Sequence, residues 1–308
     1  MDITYDYYRV FYYVAKYKSF SKAAKALFSN QPNVSRIMNN LENQLGCRLL
    51  VRSNKGVSLT PEGQKLFKHV TIAYNHLQAA ESELAGDMSL ESGVVTIGAT
   101  DAALHLLLLP VLQQFRKQYP GVHIRILNHA SLQAIRSVRD GIADFAVVTS
   151  PVTLKNPQKE TVLFSFSDIL VGSREYAFLS DTPHTLEEIK KYPLISLEQS
   201  TTNYAFFRQF YLRNGFTMEP DTEASSLDQL LPLIENDLGL GYVPKKLAIP
   251  YLERGRFFNI PLIEQIPPRH VSIIEDCGHP LSISANAMKK MLLSCSERLK
   301  KNEPPLWE

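Results

Sequence analysis

The chain has 308 residues, 44% of them hydrophobic, and its 33 basic side chains nearly balance 31 acidic ones. This composition suits a globular protein of one to three domains and excludes disordered, collagen-like and disulfide-stapled chains. The 3 cysteines lie far apart without metal-ligand spacing, so we expect a reducing cytoplasm and no cysteine-based metal site. The 8 histidines are also scattered without ligand spacing, and we expect no metal and no cofactor. The start lacks the basic region of a signal peptide and no apolar run could span a bilayer, so neither export nor a membrane partner is expected.

Charge is distributed unevenly along the chain. Residues 1–68 contain 11 basic and 4 acidic side chains, a surplus of seven positive charges, and the remaining residues carry a surplus of five negative charges. The basic segment suits a polyanionic partner, although a charged surface is more often simply solvated.

Apolar residues at helical spacing predict three helices at the N-terminus. The first helix ends near Lys18, and we expect Ser21 to cap the second. Pro32 suits the first turn of the third helix, which Gly46 ends. The residues expected on the apolar faces are Tyr8, Phe11, Val14, Ala15, Ala23, Ala24, Leu27, Val34, Ile37, Met38, Leu41 and Leu45.

The opposite face of the third helix is polar and has no carboxylate before Glu42. Its amides, hydroxyls and guanidinium can pair with base edges in the major groove of DNA. Two helices joined by a short turn, the second with such a face, are typical of a helix-turn-helix. The alternative is that these groups only solvate an exposed helix. The polar positions are Gln31, Asn33, Ser35, Arg36, Asn39, Asn40 and Gln44.

Two strand-like runs follow, Cys47–Arg52 and Val57–Thr60, with a turn between them. Such a hairpin beside a helix-turn-helix predicts a winged helix. Arg48, Arg52 and Lys55 are placed to reach phosphates, which gives affinity without reading the sequence.

A long series of residues in this segment also matches a known signature in order and spacing. The matching residues are Ser19, Phe20, Ser21, Ala23, Ala24, Leu27, Gln31, Pro32, Val34, Ser35, Ile37, Leu41, Glu42, Leu45, Gly46, Leu49, Arg52, Leu59, Thr60, Pro61, Glu62 and Gly63. They resemble the N-terminal signature of LysR-type transcriptional regulators, although Leu50 stands where an aromatic residue is usual.

The resemblance implies a winged helix-turn-helix DNA-binding domain. It implies that Gln31, Pro32, Ser35 and Arg36 contact the groove and that Arg52 contacts the DNA backbone. The full set of expected DNA-binding residues adds Ser21, Lys22, Asn33, Asn39, Arg48 and Lys55.

The next segment predicts a long helix, with Thr60 as its N-cap and Pro61 at its first position. Its apolar residues recur in alternating steps of four and three, which is the spacing of a coiled coil. A helix buried within one chain is the alternative. In the resembled family this helix is the dimerisation linker. The expected dimer contacts are Leu66, Val70, Leu77 and Leu84, with Ala73 and Ala80 between them.

From Val94 onward, strand-like runs alternate with helical runs, which predicts α/β units whose parallel sheets are covered by helices. Strands are predicted at 94–97, 122–127, 144–149, 169–171, 194–197, 240–243 and 270–275. Helices are predicted at 103–118, 131–139, 203–213, 227–236 and 282–299.

Further matches to a known pattern continue through this body. They are the segment 93–98, Leu109, Pro110, Phe115, Tyr119, Pro120, Gly141, Asp144, Gly239, Leu240, Gly241 and Pro244. These residues resemble the effector domain of the LysR-type regulators, which implies two subdomains shaped like a periplasmic binding protein. Two crossover strands are then expected near 162–168 and 265–270.

The expected fold class is therefore α/β, with a winged helix-turn-helix, a long linker helix and a two-subdomain effector domain. The DNA-binding domain is expected at 1–60, the linker at 61–92 and the effector domain at 93–308. Subdomain I comprises 93–164 and 268–301, and subdomain II comprises 165–267.

Hydroxyl-rich segments follow four predicted strands, where ligands of open α/β sheets meet helix N-termini. They predict a pocket for a small polar effector, although Ser and Thr are also ordinary helix caps. Asp101 would oppose a dianion, so we expect a cationic or neutral polar group beside it, as in an amino-acid-like molecule; otherwise Asp101 caps its own helix. The expected effector-binding residues are Thr100, Asp101, His129, Ser131, Thr149, Ser200, Thr201, Thr202 and Asn203.

The motifs of hydrolases, zinc proteases and nucleotide-binding enzymes do not occur in the sequence, so we expect no catalytic residues. The predicted function is a sequence-specific DNA-binding transcriptional regulator that a small polar effector modulates. The expected partners are double-stranded DNA carrying an inverted repeat, the effector, further copies of the chain in a homodimer or homotetramer, and RNA polymerase. The alternative is a cytosolic small-solute-binding protein, which leaves the basic N-terminal segment unexplained.

Overall fold

The computed structural model of the chain describes residues 3–53, 56–84, 90, 93–128 and 130–300. These residues form two compact units, one built from the N-terminal helices and hairpin and the other from two larger sheets with their helices. Within the described ranges, no helix has both the length and the hydrophobicity that crossing a bilayer requires.

The N-terminal unit is a helix-turn-helix followed by a wing and a long helix, as predicted. Phe11, Val14, Ala23 and Leu41 are completely buried in its core. The two wing strands pair antiparallel. Its elements are α1 (Tyr5–Tyr17), α2 (Phe20–Ala26), α3 (Gln31–Leu45), β1 (Leu50–Ser53), β2 (Gly56–Leu59) and α4 (Pro61–Leu84).

The ends of α2 and α3 are fixed by local caps. Ser19 caps α2 in place of the expected Ser21, because the helix begins earlier and the Ser19 hydroxyl accepts from the Lys22 backbone N–H at 3.3 Å. The side chain of Asn30 caps α3. Gly46 ends α3 as predicted, with a φ of 67° that glycine adopts at little cost.

Helix α4 begins inside the core of the N-terminal unit. Thr60 caps it as predicted. Val70 is only 7% exposed and packs with the core of its own chain, because α1 lies against this part of α4, and Leu66 packs beside it. Leu77 is 44% exposed, and the Leu84 side chain lies outside the described part. Of the expected dimer contacts, Val70 is therefore buried in the core of its own chain. Dimer formation through the other positions stays a prediction.

The C-terminal unit alternates strands with helices, as predicted. Its strands are β3 (Gly93–Ala99), β4 (Val122–Asn128), β5 (Phe145–Thr149), β6 (Gln158–Phe166), β7 (Asp168–Gly172), β8 (Leu194–Leu197), β9 (Thr222–Ala224), β10 (Leu240–Pro244), β11 (Phe258–Ile260) and β12 (Arg269–Asp276). Its helices are α5 (Asp101–Ala103), α6 (Leu109–Gln118), α7 (Ser131–Arg139), α8 (Leu186–Ile189), α9 (Thr202–Arg213), α10 (Leu227–Glu235), α11 (Lys245–Glu253) and α12 (Ile283–Lys300). A π-helical turn, Leu104–Leu108, joins α5 to α6.

The strands form two sheets, ordered β4-β3-β5-β12-β6 and β11-β7-β10-β8-β9. In the first, β3 is parallel to β4 and β5, whereas β12 is antiparallel to β5 and β6. In the second, β8 is parallel to β9 and β10, whereas β7 is antiparallel to β10 and β11.

Each sheet therefore contains the parallel strand pairs that were predicted, together with antiparallel pairs that were not, so both sheets are mixed. The chain passes from the first sheet to the second between Phe166 and Asp168 and returns between Ile260 and Arg269. The first strand after each crossing, β7 or β12, begins beside the carboxyl ends of the parallel strands of its sheet. It therefore runs antiparallel to those strands. The carboxyl ends of β3, β5 and β8 consequently lie near the crossings.

Candidate functional site

The polar face of α3 is accessible, as binding in a DNA groove requires. Gln31, Pro32, Arg36 and Asn39 are exposed, and Ser35 is half-buried. The Ser35 hydroxyl oxygen is buried without a hydrogen-bond partner among the described residues. Amide, hydroxyl and guanidinium groups on one exposed helix can read base edges.

The side chain of Asn33 on this face is bonded within the chain through both its oxygen and its nitrogen. Its Oδ1 accepts from Nη2 of Arg36 at 3.0 Å. Its Nδ2 donates to Oγ of Ser29 at 3.1 Å. The sequence suggested a groove contact for Asn33 and gave no sign of this bonding.

Glu42 is buried beneath the wing, at 6% exposure. Its carboxylate accepts from the backbone N–H groups of Leu49 at 2.7 Å and Leu50 at 3.1 Å. The guanidinium of Arg48 pairs with the same carboxylate at 2.8 Å, although the Arg48 side chain is 78% exposed. Arg48, expected to reach a phosphate, is therefore also part of the contact that fixes the wing to α3.

The remaining expected DNA-binding residues lie on α2 and the wing. Ser21 and Lys22 are exposed near the start of α2. The backbone of Arg52 lies in β1, but its side chain is outside the described part, and Lys55 is outside the described residues.

A cavity of about 330 Å³ opens between the two sheets of the C-terminal unit. This volume lies at the lower end of the range for small-molecule sites. Every expected effector residue within the described ranges lines it; His129 lies outside those ranges. The expected lining residues are Thr100, Asp101, Ser131, Thr149, Ser200, Thr201, Thr202 and Asn203. The sequence did not indicate Asn128, Gln133, Glu198, Ser225, Ser226 and Arg269, which also line it.

Helices α7, α9 and α10 all begin at the cavity. Thr201 caps α9, and Ser226 caps α10. Thr201 is therefore a helix cap, which was the alternative to a ligand contact, and it also lines the cavity. The N-termini of α7 and α9 at one cavity favour an anionic group of a ligand.

Asp101 caps a helix of the opposite sheet. Its Oδ2 accepts from the backbone N–H of Leu227, the first residue of α10, at 3.0 Å. Its own helix is capped by Thr100, so the alternative that Asp101 caps its own helix is wrong. The Oδ1 of Asp101 is buried and has no partner within the described residues. One carboxylate oxygen of this cavity residue is therefore unpaired within the described residues.

Arg269 is the cavity residue with the most extensive bonding. It is 1% exposed and donates to the Ser150 carbonyl at 3.1 Å, to Thr149 Oγ1 at 3.0 Å and to Asp168 Oδ2 at 3.3 Å. Burial raises the pKa of Asp168, and the attraction of Arg269 opposes that rise. These bonds join β12 to the ends of β5 and β7, where the chain crosses between the sheets.

The guanidinium of Arg269 also lies between two aromatic rings. Its central carbon is 5.1 Å from the ring centre of Phe166 in β6 and 5.2 Å from that of Phe206 in α9. Contacts of this kind between a cation and a ring face are attractive. Arg269 therefore contacts a strand of the first sheet and, at the same time, a helix that packs on the second sheet.

Two further bonds span the cleft between the sheets. Thr202 donates to Oγ of Ser131 at 3.0 Å. His105 Nε2 lies 2.9 Å from Asp228 Oδ1. In the described part of the chain, no group of three or more His, Cys, Asp or Glu side chains is arranged to hold a metal ion.

Two protein families match the chain in sequence. The bacterial regulatory helix-turn-helix protein family, lysR type, matches residues 5–64, and the LysR substrate binding domain matches residues 89–294. The chain is 26% identical to the HTH-type transcriptional regulator TdcA of Escherichia coli K12, over 92% of the chain and 90% of TdcA. It is 28% identical to the uncharacterised HTH-type transcriptional regulator YwbI of Bacillus subtilis, over 93% of the chain and 94% of YwbI.

Solved structures show the same fold. Full-length OxyR of Pseudomonas aeruginosa superposes with a TM-score of 0.72 at 19% identity, covering 97% of the chain and 96% of OxyR. CrgA of Neisseria meningitidis, a LysR-type transcriptional regulator, gives a TM-score of 0.57 at 21% identity, covering 94% of the chain and 97% of CrgA.

Proposed function

The chain belongs to the LysR family of transcriptional regulators, and we propose that a small polar effector bound in the cavity between its two sheets modulates its binding to DNA. The family is one of DNA-binding regulators rather than enzymes. The observation that carries the proposal is the cavity, lined by the hydroxyl-rich strand ends, in a chain that also holds a polar recognition helix. A solute-binding protein without a role in transcription does not account for the match at residues 5–64.

The effector we propose carries a cationic or neutral polar group beside Asp101, as an amino-acid-like molecule does. The buried Oδ1 of Asp101, which has no partner among the described residues, supports such a donor. The N-termini of α7 and α9 favour an anionic group at the other end of the molecule. The proposed contacts remain the expected set, from Thr100 to Asn203, including His129.

Calorimetric titration of the purified chain with amino acids and with dicarboxylic acids of matched length tests this chemistry. We expect an amino acid to bind, and Asp101→Ala to weaken it about tenfold or more, because a charge-assisted hydrogen bond is lost. Asp181→Ala, at an exposed position outside the cavity lining, is the matched control. Tight binding of a dicarboxylic acid that Asp101→Ala leaves unchanged would contradict the proposal.

We further propose the expected DNA contacts, except for a direct contact of Asn33, with α3 in the major groove and the wing along the phosphates. A DNA site selected from a random library by the full chain provides the probe. Arg36→Ala should remove discrimination between bases at one position, whereas Lys22→Gln should weaken binding to all sequences alike. Equal loss of discrimination from both substitutions would contradict these roles.

Because one winged helix reads only a half-site, we propose that two copies bind an inverted repeat, as a homodimer or within a homotetramer. Closure of the cleft on the effector would then alter the spacing of the DNA-reading heads.

RNA polymerase is the further partner we propose. We propose the domain limits 1–60, 61–92 and 93–308, and we propose the cytoplasm, where a transcriptional regulator meets bacterial DNA, as the place of action.

A further inference from the structure

Three polar side chains around the start of α3, those of Ser29, Asn33 and Arg36, form a hydrogen-bonded series. Arg36 donates to Asn33 at 3.0 Å, and Asn33 donates to Ser29 at 3.1 Å. Ser29 is anchored in turn, because its backbone N–H donates to the Ala24 carbonyl at 2.9 Å. The series therefore connects the end of α2 to the guanidinium of Arg36.

This bonding bears on which of the two side chains can read a base. An amide reads adenine by using its oxygen and its nitrogen together on one base edge. Each of these atoms of Asn33 already makes one bond, the oxygen with Arg36 and the nitrogen with Ser29, and the two bonds fix the orientation of the amide within the chain. The exposed Arg36 has five N–H donors and gives one to Asn33, so enough remain for the two bonds that guanine accepts.

An arginine on an exposed helix samples many rotamers, and binding must restrict them at a cost in free energy. A bond to the residue one turn earlier restricts Arg36 before DNA arrives. We infer that Asn33 is a positioning residue: it sets the base preference of Arg36 and does not read DNA itself. The inference rests on the proposed function, since it requires α3 to lie in the major groove.

The test uses the full chain and the DNA site that it selects from a random library. Competition binding at constant salt measures the discrimination among the four bases at each position. We expect Asn33→Ala to lower discrimination about three- to tenfold at the position where Arg36→Ala abolishes it, which is a part of the preference that one arginine–guanine pair supplies. Binding to non-specific DNA should stay within about twofold, because phosphate contacts dominate it. Asn43→Ala, on the exposed last turn of the same helix, is the matched control.

The double variant separates positioning from direct reading. In the Arg36→Ala background, Asn33→Ala should have no further effect on base preference, because the side chain that it positions is gone. A change at a different DNA position, or a change that persists in this background, would show that Asn33 reads a base and would overturn the inference. Unchanged discrimination in Asn33→Ala would overturn it as well.

Ser29→Ala gives a second test that leaves both α3 residues intact. Loss of its hydroxyl frees the Asn33 amide, so discrimination should weaken at the Arg36 position and in the same direction. If thermal melting shows that Asn33→Ala does not fold, unchanged discrimination in Ser29→Ala overturns the inference. If the unaltered chain selects no DNA site at all, the proposed function is wrong. That result differs from one in which the chain selects a site and Asn33→Ala leaves its base discrimination unchanged, which overturns only the inference about Asn33.

Discussion

Glu42 is a single side chain on which the position of the wing depends. Two backbone N–H groups at the start of the hairpin donate to its buried carboxylate. We expect Glu42→Ala to lower the free energy of unfolding of the N-terminal unit by about 2–4 kcal/mol, because both buried donors lose their acceptor. Chemical denaturation followed by helical circular dichroism measures the change.

The matched control for this substitution is Glu62→Ala, an exposed acidic residue in the first turn of α4. Its effect should stay within about 0.5–1 kcal/mol, as for most surface substitutions and weak interactions with the helix dipole. Equal effects of the two substitutions would show that the Glu42 bonds do not stabilise the wing.

Asp144 makes the stability of the C-terminal unit depend on pH. Its Oδ2 accepts from the backbone N–H of Thr96 at 2.7 Å, yet burial raises its pKa to about 6. In the unfolded chain the pKa is about 3.9, so the folded state holds this proton more tightly. The stabilisation of the folded state by the protonated Asp144 carboxyl is therefore complete below pH about 4, and it is lost as the pH rises through 6.

Asp144→Asn removes this titration while keeping the shape of the side chain. Relative to the unaltered chain, the variant should gain up to about 3 kcal/mol between pH 4 and pH 8, since each pKa unit corresponds to about 1.4 kcal/mol. Calorimetric melting of both proteins across this range measures the difference. A difference that stays constant with pH would contradict the raised pKa.

At the scale of elements, α4 carries two kinds of apolar position. Val70 lies in the core, so Val70→Ala should lower the melting temperature of the N-terminal unit, at a cost of about 1–3 kcal/mol. Leu77 is 44% exposed, so Leu77→Ala should leave that transition unchanged and weaken self-association. Sedimentation velocity and thermal melting of both variants provide the two measurements.

The opposite outcome would reverse these assignments: dissociation in Val70→Ala without any loss of stability, and no dissociation in Leu77→Ala. Deleting residues 66–84 is a poor substitute for these point changes. The deletion would remove Val70 and Tyr74 from the core of the N-terminal unit together with any dimer contact.

Elements whose signals are local could be predicted from the sequence. The bounds of α7 and β8 follow from apolar spacing within each segment and match the structure. The elements α8, β9 and β11 were missed, because α8 is about one helical turn and each of the two strands has only three residues. Helix α11 was missed because Pro250 lies inside it, and proline is disfavoured in a helix interior. Strand direction in the mixed sheets depends on where the chain crosses, which no segment encodes by itself.

The same distinction holds for the cavity. Its hydroxyl-rich lining was predictable because each segment directly follows a strand. Arg269 was not, since its partners Asp168, Ser150 and Thr149 lie 101, 119 and 120 positions away in the sequence. Asp101 likewise bonds to Leu227, 126 positions away. Local sequence shows where a cavity opens, and long-range contacts decide which charges face it.

At the scale of the whole molecule, the division of charge predicts how salt affects DNA binding. The seven surplus positive charges of residues 1–68 lie in the segment that holds the winged helix. Affinity should fall linearly on logarithmic axes as salt rises, and Lys22→Gln should reduce the slope by about one. Lys191→Gln, an exposed lysine of the C-terminal unit, should leave the slope unchanged. Fluorescence anisotropy over a salt series measures both, and equal slopes for the two variants would contradict a phosphate contact at Lys22.

The aromatic packing of α4 has a practical consequence for protein engineering. Tyr74 stacks on Tyr12 with ring centres 4.4 Å apart, and Phe67 lies edge-on to Phe11 at 6.2 Å. A truncated protein that stopped at Thr60 would leave the rings of Tyr12 and Phe11 without these partners and in contact with water. A DNA-reading module expressed alone should therefore extend at least to Tyr74, so that these aromatic contacts between α1 and α4 are kept.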